Sequence, residues 1–109
     1  MNQDYAYPGP DRAEVDALRG ATVLEFGTGW CGYCRAAQPL IAAAFNDHDD
    51  VRHLKIEDGK GRPLGRSFKV RLWPTLVFLR DGQEVARVVR PATVDAIVQA
   101  LALIDGEPR

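Results

Sequence analysis

A strand-helix-strand pattern around two cysteines, Cys31 and Cys34, constrains the fold of this chain more than any other feature. Residues 21–26, ATVLEF, are β-branched, apolar and aromatic, which predicts a buried strand. From Cys34 to about Asn46, apolar residues recur at helical spacing, and residues 51–56, VRHLKI, return to a strand pattern. Strands that alternate with helices in this way predict a small α/β sandwich.

The rest of the chain completes that architecture. The other predicted elements are helices over 11–19 and 63–68, strands over 75–80 and 83–89, and a final amphipathic helix over 93–104. Asp81-Gly82 lies between the last two strands and indicates a tight hairpin turn. Helices are therefore expected on both faces of a mixed sheet.

Length and composition indicate one ordinary globular domain. The chain has 109 residues, of which 46% are hydrophobic and 27% charged. Residues 1–10 contain Pro8-Gly9-Pro10 and lack an apolar period, so we expect an extended N-terminal arm followed by a domain over 11–109. The formal net charge is -1, without the basic surface that nucleic-acid binding requires. No nucleic-acid partner is expected, and we predict a monomer.

The sequence also bears on location. No apolar run approaches the roughly 20 residues that cross a membrane. The N-terminus lacks the basic start and apolar stretch of a signal peptide. We therefore expect a cytoplasmic protein without membrane contact, with the periplasm as the alternative if a signal peptide has been removed.

Cys31 and Cys34, the chain's two cysteines, allow metal, structural and redox roles. A disulfide between them closes too small a loop to stabilise the fold much. With His48 and His53 they match the loose spacing of a zinc finger, but such a finger places its cysteines on a hairpin and both histidines on one helix. Here the cysteines open a helix and His53 lies in a strand pattern. A redox pair is favoured, and neither a metal nor a cofactor is expected.

The position of the pair at the start of a helix predicts its chemistry. An exposed first sulfur beside free backbone N–H groups is favoured as a thiolate by the helix dipole. Cys31 is therefore the predicted nucleophile, and Cys34, one turn deeper, the thiol that resolves the mixed disulfide. Gly32 is expected to leave the ring that the two cysteines close unstrained.

Glu25 interrupts the apolar strand just before the cysteines. An ionised, unpaired carboxylate is costly to bury, so burial should raise the pKa of Glu25. Such a carboxyl could exchange a proton with Cys34 as that thiol attacks. The alternative is that Glu25 points to solvent from an edge strand.

The segments VLEFGTGWCGYCRAAQPLI and VRLWPTLVFLRDGQEV resemble the thioredoxin superfamily. Trp-Cys-Gly-x-Cys, a proline five residues after the second cysteine, and a distal Pro-Thr before an apolar strand occur together and in order. The resemblance covers about residues 11–104 and implies a thioredoxin-like three-layer α/β/α sandwich with a mixed central sheet. Because the chain before ATVLEF is short and Pro-rich, the first strand of that fold is expected to be missing or reduced. The implied activity is thiol-disulfide exchange with protein substrates, as a reductase supplied by an external electron donor.

The resemblance also implies roles for individual residues. Pro74 matches the family's cis-proline, which faces the cysteine pair and lets the backbone of Trp73 pair with a bound substrate. Trp30 matches the tryptophan beside the active site. Glu25 matches the buried acid beneath the cysteines, and His53 aligns with a lysine near that acid. We hypothesise that Glu25 and His53 handle protons together; the alternative is a core histidine with satisfied hydrogen bonds.

The chain departs from thioredoxins at three positions. Tyr33 replaces the proline of thioredoxin's Cys-Gly-Pro-Cys. The resulting Cys-Gly-Tyr-Cys segment resembles the active site of periplasmic disulfide isomerases, which predicts a more oxidising couple than that of thioredoxin. Trp73 is bulkier than the usual residue before the proline, and Arg90 adds a cation beside the docking groove, so a different partner range is expected. The expected substrate-binding residues are Trp30, Gly32, Tyr33, Trp73, Pro74 and Arg90.

A second function remains open at this point. A redox-regulated binding module could dock its partner on Trp30, Trp73 and Pro74 and use the disulfide only to switch affinity. Turnover with a protein disulfide distinguishes an enzyme from such a module.

Overall fold

The computed structural model describes residues 4–106, which contain a four-stranded mixed sheet between two layers of helices. The strands are β1 (Ala21–Gly27), β2 (Arg52–Glu57), β3 (Thr75–Arg80) and β4 (Gln83–Val89). They lie in the order β2-β1-β3-β4, with β2 parallel to β1, and β3 antiparallel to both β1 and β4. The mixed sheet predicted from the sequence is confirmed.

Helices cover both faces of this sheet. They are α1 (Arg12–Asp16), α2 (Gly32–Ala44), α3 (Pro63–Ser67) and α4 (Val94–Ile104). On one face, α2 and α4 pack against Val23, Leu76 and Phe78 of the sheet. On the other, α1 and α3 pack against Leu24, Phe26 and Val77. This alternation of sheet residues between two cores produces the predicted three-layer sandwich.

The first two helices differ from their predicted lengths. Asp11 caps α1 through a capping box with Glu14, as a helix start requires, but α1 ends at Asp16 rather than near residue 19. Val15 is its one buried residue, so little apolar packing extends the helix further. The second helix begins at Gly32, directly after Cys31, and a 3-10 turn replaces its predicted last residues.

A tight hairpin joins β3 and β4, as predicted. Asp81 and Gly82 have positive φ angles of 51° and 79°, the left-handed conformations of a type I′ turn. A Cβ on Gly82 would lie 2.1 Å from the carbonyl oxygen of Asp16. Glycine is therefore required where the hairpin contacts α1.

The N-terminal segment contacts the outer edge of β2. Ala6 forms an isolated parallel bridge with Ile56: its N–H donates to Lys55 over 3.0 Å and its carbonyl accepts from Glu57 over 2.9 Å. The first strand of the fold is thus reduced to one residue pair. Residues 1–3 and 107–109, which belong to the predicted arm and domain, lie outside the described residues.

Candidate active site

The two cysteines lie where β1 ends and α2 begins. Cys31 is the N-cap residue of α2, and its Sγ accepts a hydrogen bond from the backbone N–H of Cys34 over 3.3 Å. Both thiols are free. Cys31 is only 7% exposed and Cys34 1%, so the prediction of an exposed first sulfur was wrong. As an N-cap, the Cys31 sulfur turns back over the first turn of the helix.

The two thiols have opposite pKa shifts. Burial alone raises the pKa of Cys31, but hydrogen bonds from Cys34 and from the backbone of Tyr33, with the positive charge of Arg90, bring it below its usual value. Burial and the proximity of Cys31 raise the pKa of Cys34 to about 11. Cys31 is therefore the first of the pair to become a thiolate, as the nucleophile must.

Glu25 is fully buried in β1, so the alternative of an edge position in solvent does not apply. Burial raises its pKa, but Glu25 accepts hydrogen bonds from His53 Nε2 at 2.8 Å, from the Tyr5 hydroxyl and from Gln38 Nε2 at 2.9 Å. Together they lower the pKa of Glu25 below its usual value. The predicted increase was wrong, because these donors come from three separate segments that local sequence does not connect.

Three members of this polar network were not predicted. Lys55 Nζ lies 4.0 Å from Glu25 Oε2 and donates to Gln38 Oε1 over 2.8 Å. Gln38 lies four residues after Cys34, a spacing that could have placed it on the same helix face. Lys55 is two residues after His53 on β2 and pairs with Glu25 in the sheet register. Tyr5 had no comparable signal, because the segment around it lacks any period.

An aromatic surface lies beside the cysteines. Trp30 is 74% exposed and Tyr33 59% exposed. The rings of Trp30 and Trp73 meet edge to face, with centroids 5.7 Å apart. Trp73 Nε1 donates to Asp58 Oδ2 over 2.9 Å, which holds the indole in place. A Cβ on Gly32 would meet no atom within 4 Å, so the space above it is open.

Arg90 connects this surface to the segment before β3. The peptide bond between Trp73 and Pro74 is cis, and Pro74 is buried. Arg90 Nε donates to the Trp73 carbonyl and its backbone N–H to the Pro74 carbonyl, both over 2.9 Å. Its guanidinium carbon lies 3.7 Å from the centre of the Tyr33 ring. Arg90 therefore contacts both Tyr33 and Trp73 and is not a fully solvated side chain.

The Thioredoxin family model matches residues 12–103 of the chain. This chain belongs to the thioredoxin family. The structure of reduced thioredoxin 2 from Pseudomonas aeruginosa PAO1 is 57% identical, with a TM-score of 0.85 over 94% of this chain and 95% of that one. The crystal structure of thioredoxin NaTrxh from Nicotiana alata is 28% identical, with a TM-score of 0.73 over 87% and 82%.

Curated thioredoxins match over shorter segments. Thioredoxin H2-1 from Oryza sativa subsp. japonica is 33% identical over 77 residues, which cover 68% of this chain and 56% of the rice protein. The TPR repeat-containing thioredoxin TDX from Arabidopsis thaliana is 37% identical over 67 residues, 62% of this chain and 18% of that protein. The chain thus spans less than two thirds of the length of these relatives.

Neither a metal cluster nor a membrane helix occurs within residues 4–106 of this thioredoxin-family chain. No group of three or more His, Cys, Asp or Glu residues there is placed to hold a metal ion. His48 Nδ1 lies 2.5 Å from Asp105 Oδ2, whereas His53 contacts Glu25, so the two histidines have separate partners. No helix of that range is long and apolar enough to cross a bilayer.

Proposed function

We propose that this chain is a thiol-disulfide oxidoreductase that exchanges its dithiol with disulfides of protein substrates and acts as a reductase. The opposite pKa shifts of Cys31 and Cys34 carry this proposal. One thiol is prepared to attack as a thiolate, while the other keeps its proton until the attack has taken place. Membership of the thioredoxin family supports the same activity.

In the proposed cycle, the Cys31 thiolate attacks one sulfur of a substrate disulfide. The substrate S–S bond breaks, a mixed disulfide forms at Cys31, and the other substrate sulfur leaves as a thiolate. Cys34 then loses its proton and attacks Cys31 Sγ, and the second substrate sulfur leaves with the electron pair. Two electrons have passed to the substrate, and the chain holds a Cys31–Cys34 disulfide. Glu25 is the proposed acceptor of the Cys34 proton.

The aromatic surface is the proposed docking site for the substrate. Exposed Trp and Tyr rings are the side chains that most often anchor protein interfaces, and Trp30 and Tyr33 are both exposed. The open space above Gly32 leaves room for a substrate segment to approach the cysteines. The backbone of Trp73, next to Pro74, is the proposed partner for the backbone of that segment.

A complete cycle needs an external electron donor, either a reductase or another dithiol protein. The exchange itself uses only the two cysteines, so no cofactor is part of the proposal. A reductase needs a reducing compartment, for which we propose the cytoplasm, with the periplasm as the alternative. Cell fractionation of the full-length protein tests this location. Light scattering in solution tests the proposed monomer.

Reduction of a protein disulfide such as insulin, with a small dithiol as regenerant, tests the proposed activity. The unaltered chain should turn over, Cys31→Ser should abolish turnover, and Cys34→Ser should retain substrates as mixed disulfides at Cys31. Redox-dependent binding of a partner without turnover would instead favour the binding module.

A further inference from the structure

Tyr5, in the segment before α1, reaches into the polar network around Glu25. Its hydroxyl donates to Glu25 Oε2, and Gln38 Nε2 donates to the same hydroxyl oxygen over 3.3 Å. Lys55 Nζ lies 4.6 Å from the centre of its ring. The main-chain hydrogen bonds of Ala6 to β2 hold the neighbouring backbone. The hydroxyl therefore has a defined position.

The same hydroxyl is also close to the resolving thiol. A Cβ built on Gly27, the last residue of β1, would lie 2.6 Å from Cys34 Sγ and 2.9 Å from the Tyr5 hydroxyl oxygen. Both groups therefore occupy the small space that glycine leaves open. The Cys34 thiol and the Tyr5 hydroxyl are therefore neighbours across that space, and the hydroxyl acts to lower the pKa of Cys34. The hydroxyl thus lies between the thiol and Glu25.

We propose that the Tyr5 hydroxyl relays the proton of Cys34 to Glu25 while Cys34 attacks the mixed disulfide. This inference rests on the function proposed above. The Cys34 S–H proton passes to the Tyr5 oxygen, and the Tyr5 O–H proton passes to Glu25 Oε2. Cys34 Sγ bonds to Cys31 Sγ, the bond from Cys31 to the substrate sulfur breaks, and that sulfur leaves with the electron pair. Tyr5 ends as it began, and Glu25 has gained one proton.

The electrostatics of the three groups suit this order of events. Burial and the charge of Glu25 raise the pKa of Tyr5, so Tyr5 keeps a proton to pass on and is not itself a base. The Tyr5 hydroxyl already donates to Glu25 Oε2, so a carboxylate oxygen is in place to receive the relayed proton. The proximity and charge of Cys31 contribute to the raised pKa of Cys34, and that charge disappears once Cys31 is in the mixed disulfide. Loss of the Cys34 proton is therefore easiest at the step that needs it.

Stopped-flow reaction with an aromatic disulfide that releases a coloured thiolate tests the relay. Attack by Cys31 releases one equivalent, and attack by Cys34 releases the second in a separate phase. Tyr5→Phe removes only the hydroxyl. It should leave the first phase unchanged, slow the second about tenfold or more at pH 7, and move its pH profile to higher pH. Tyr7→Phe, the matched control in the same segment, should leave both phases unchanged.

An unchanged rate of the first phase shows that the Cys31 site of the variant is intact, because that rate depends on the surroundings of the Cys31 thiolate. A second phase in Tyr5→Phe with the original rate and pH profile would overturn the relay, as would equal slowing of both phases. If the unaltered chain released no second equivalent, the proposed oxidoreductase function itself would fail.

Discussion

His53 Nε2 lies 2.8 Å from Oε1 of Glu25, a carboxylate with no exposed surface. The Phe45 ring stacks on the imidazole with centroids 4.4 Å apart, which fixes its orientation. A buried carboxylate is costly to ionise without donors, and His53 is one of three that Glu25 has. The charge of the acid beneath the cysteines therefore depends in part on a histidine from the neighbouring strand.

Replacing His53 by alanine should raise the pKa of Glu25, because a hydrogen bond that favours its charged form is lost. Removing one partner from a buried polar group typically costs about 1–3 kcal/mol of unfolding free energy. Urea unfolding measures that loss, and the pH dependence of thiol-disulfide exchange measures the effect on the reaction. His48→Ala, whose partner is Asp105, is the control. An unchanged pH profile in His53→Ala would remove His53 from proton handling.

Glu25 should also make stability depend on pH. Its pKa is lower in the folded than in the unfolded chain, so the unfolded state binds more protons as the pH falls. The contribution of Glu25 is fully present above its unfolded pKa of about 4.3 and is lost as the pH falls through the folded value. Between pH 7 and 3, the free energy of unfolding should fall less steeply with decreasing pH in Glu25→Gln than in the exposed control Glu84→Gln. Equal slopes would contradict this.

Arg90→Gln should raise the pKa of Cys31, because a positive charge that favours its thiolate is removed. Exposed charge interactions are worth roughly 0.2–1 kcal/mol, so alkylation of Cys31 at neutral pH should slow by a factor between about 1.4 and 5. Reduction of an acidic protein substrate should slow more than reduction of a small disulfide. The control is Arg19→Gln, at the opposite end of β1. Equal effects on both substrates would count against a docking role for Arg90.

Tyr33 predicts a reduction potential higher, and so more oxidising, than that of thioredoxin, which is about -270 mV. The contact between Arg90 and the Tyr33 ring holds a cation near Cys31, and a stabilised thiolate favours the dithiol form. Equilibration with glutathione measures the potential. Tyr33→Pro should lower it, and a value for the unaltered chain at or below that of thioredoxin would refute the argument.

Trp30→Ala should slow the reduction of protein disulfides about tenfold, because exposed aromatic anchors are commonly worth about 1–2 kcal/mol of binding free energy. Small disulfides should be reduced at nearly the original rate. The chain's two tryptophans, Trp30 and Trp73, both lie beside the cysteines. Tryptophan fluorescence should therefore report the redox state directly. If Trp30→Ala slowed the reduction of protein disulfides and of small disulfides equally, docking on Trp30 would be contradicted.

Much of the fold was predictable because its elements are locally periodic. Strands β3 and β4 and the Thr93 cap of α4 follow from alternation, a hairpin dipeptide and a capping residue that act within a few residues of chain. The end of α1 could not be predicted from the sequence, because its apolar stripe is weak and packing against the sheet decides its length. The burial of Glu25 was foreseeable from its apolar neighbours, but the direction of its pKa shift was not.

The sequence by itself determined the order of strands and helices, the place of the cysteine pair at a helix start and the family to which the chain belongs. Only the tertiary structure decided that the pKa of Glu25 is lowered and that the Tyr5 hydroxyl lies beside Cys34. The reason is physical. The charge of a buried group depends on donors within hydrogen-bond distance, and here those donors come from the N-terminal segment, α2 and β2. No periodicity links these segments, and only packing of the folded chain brings them together.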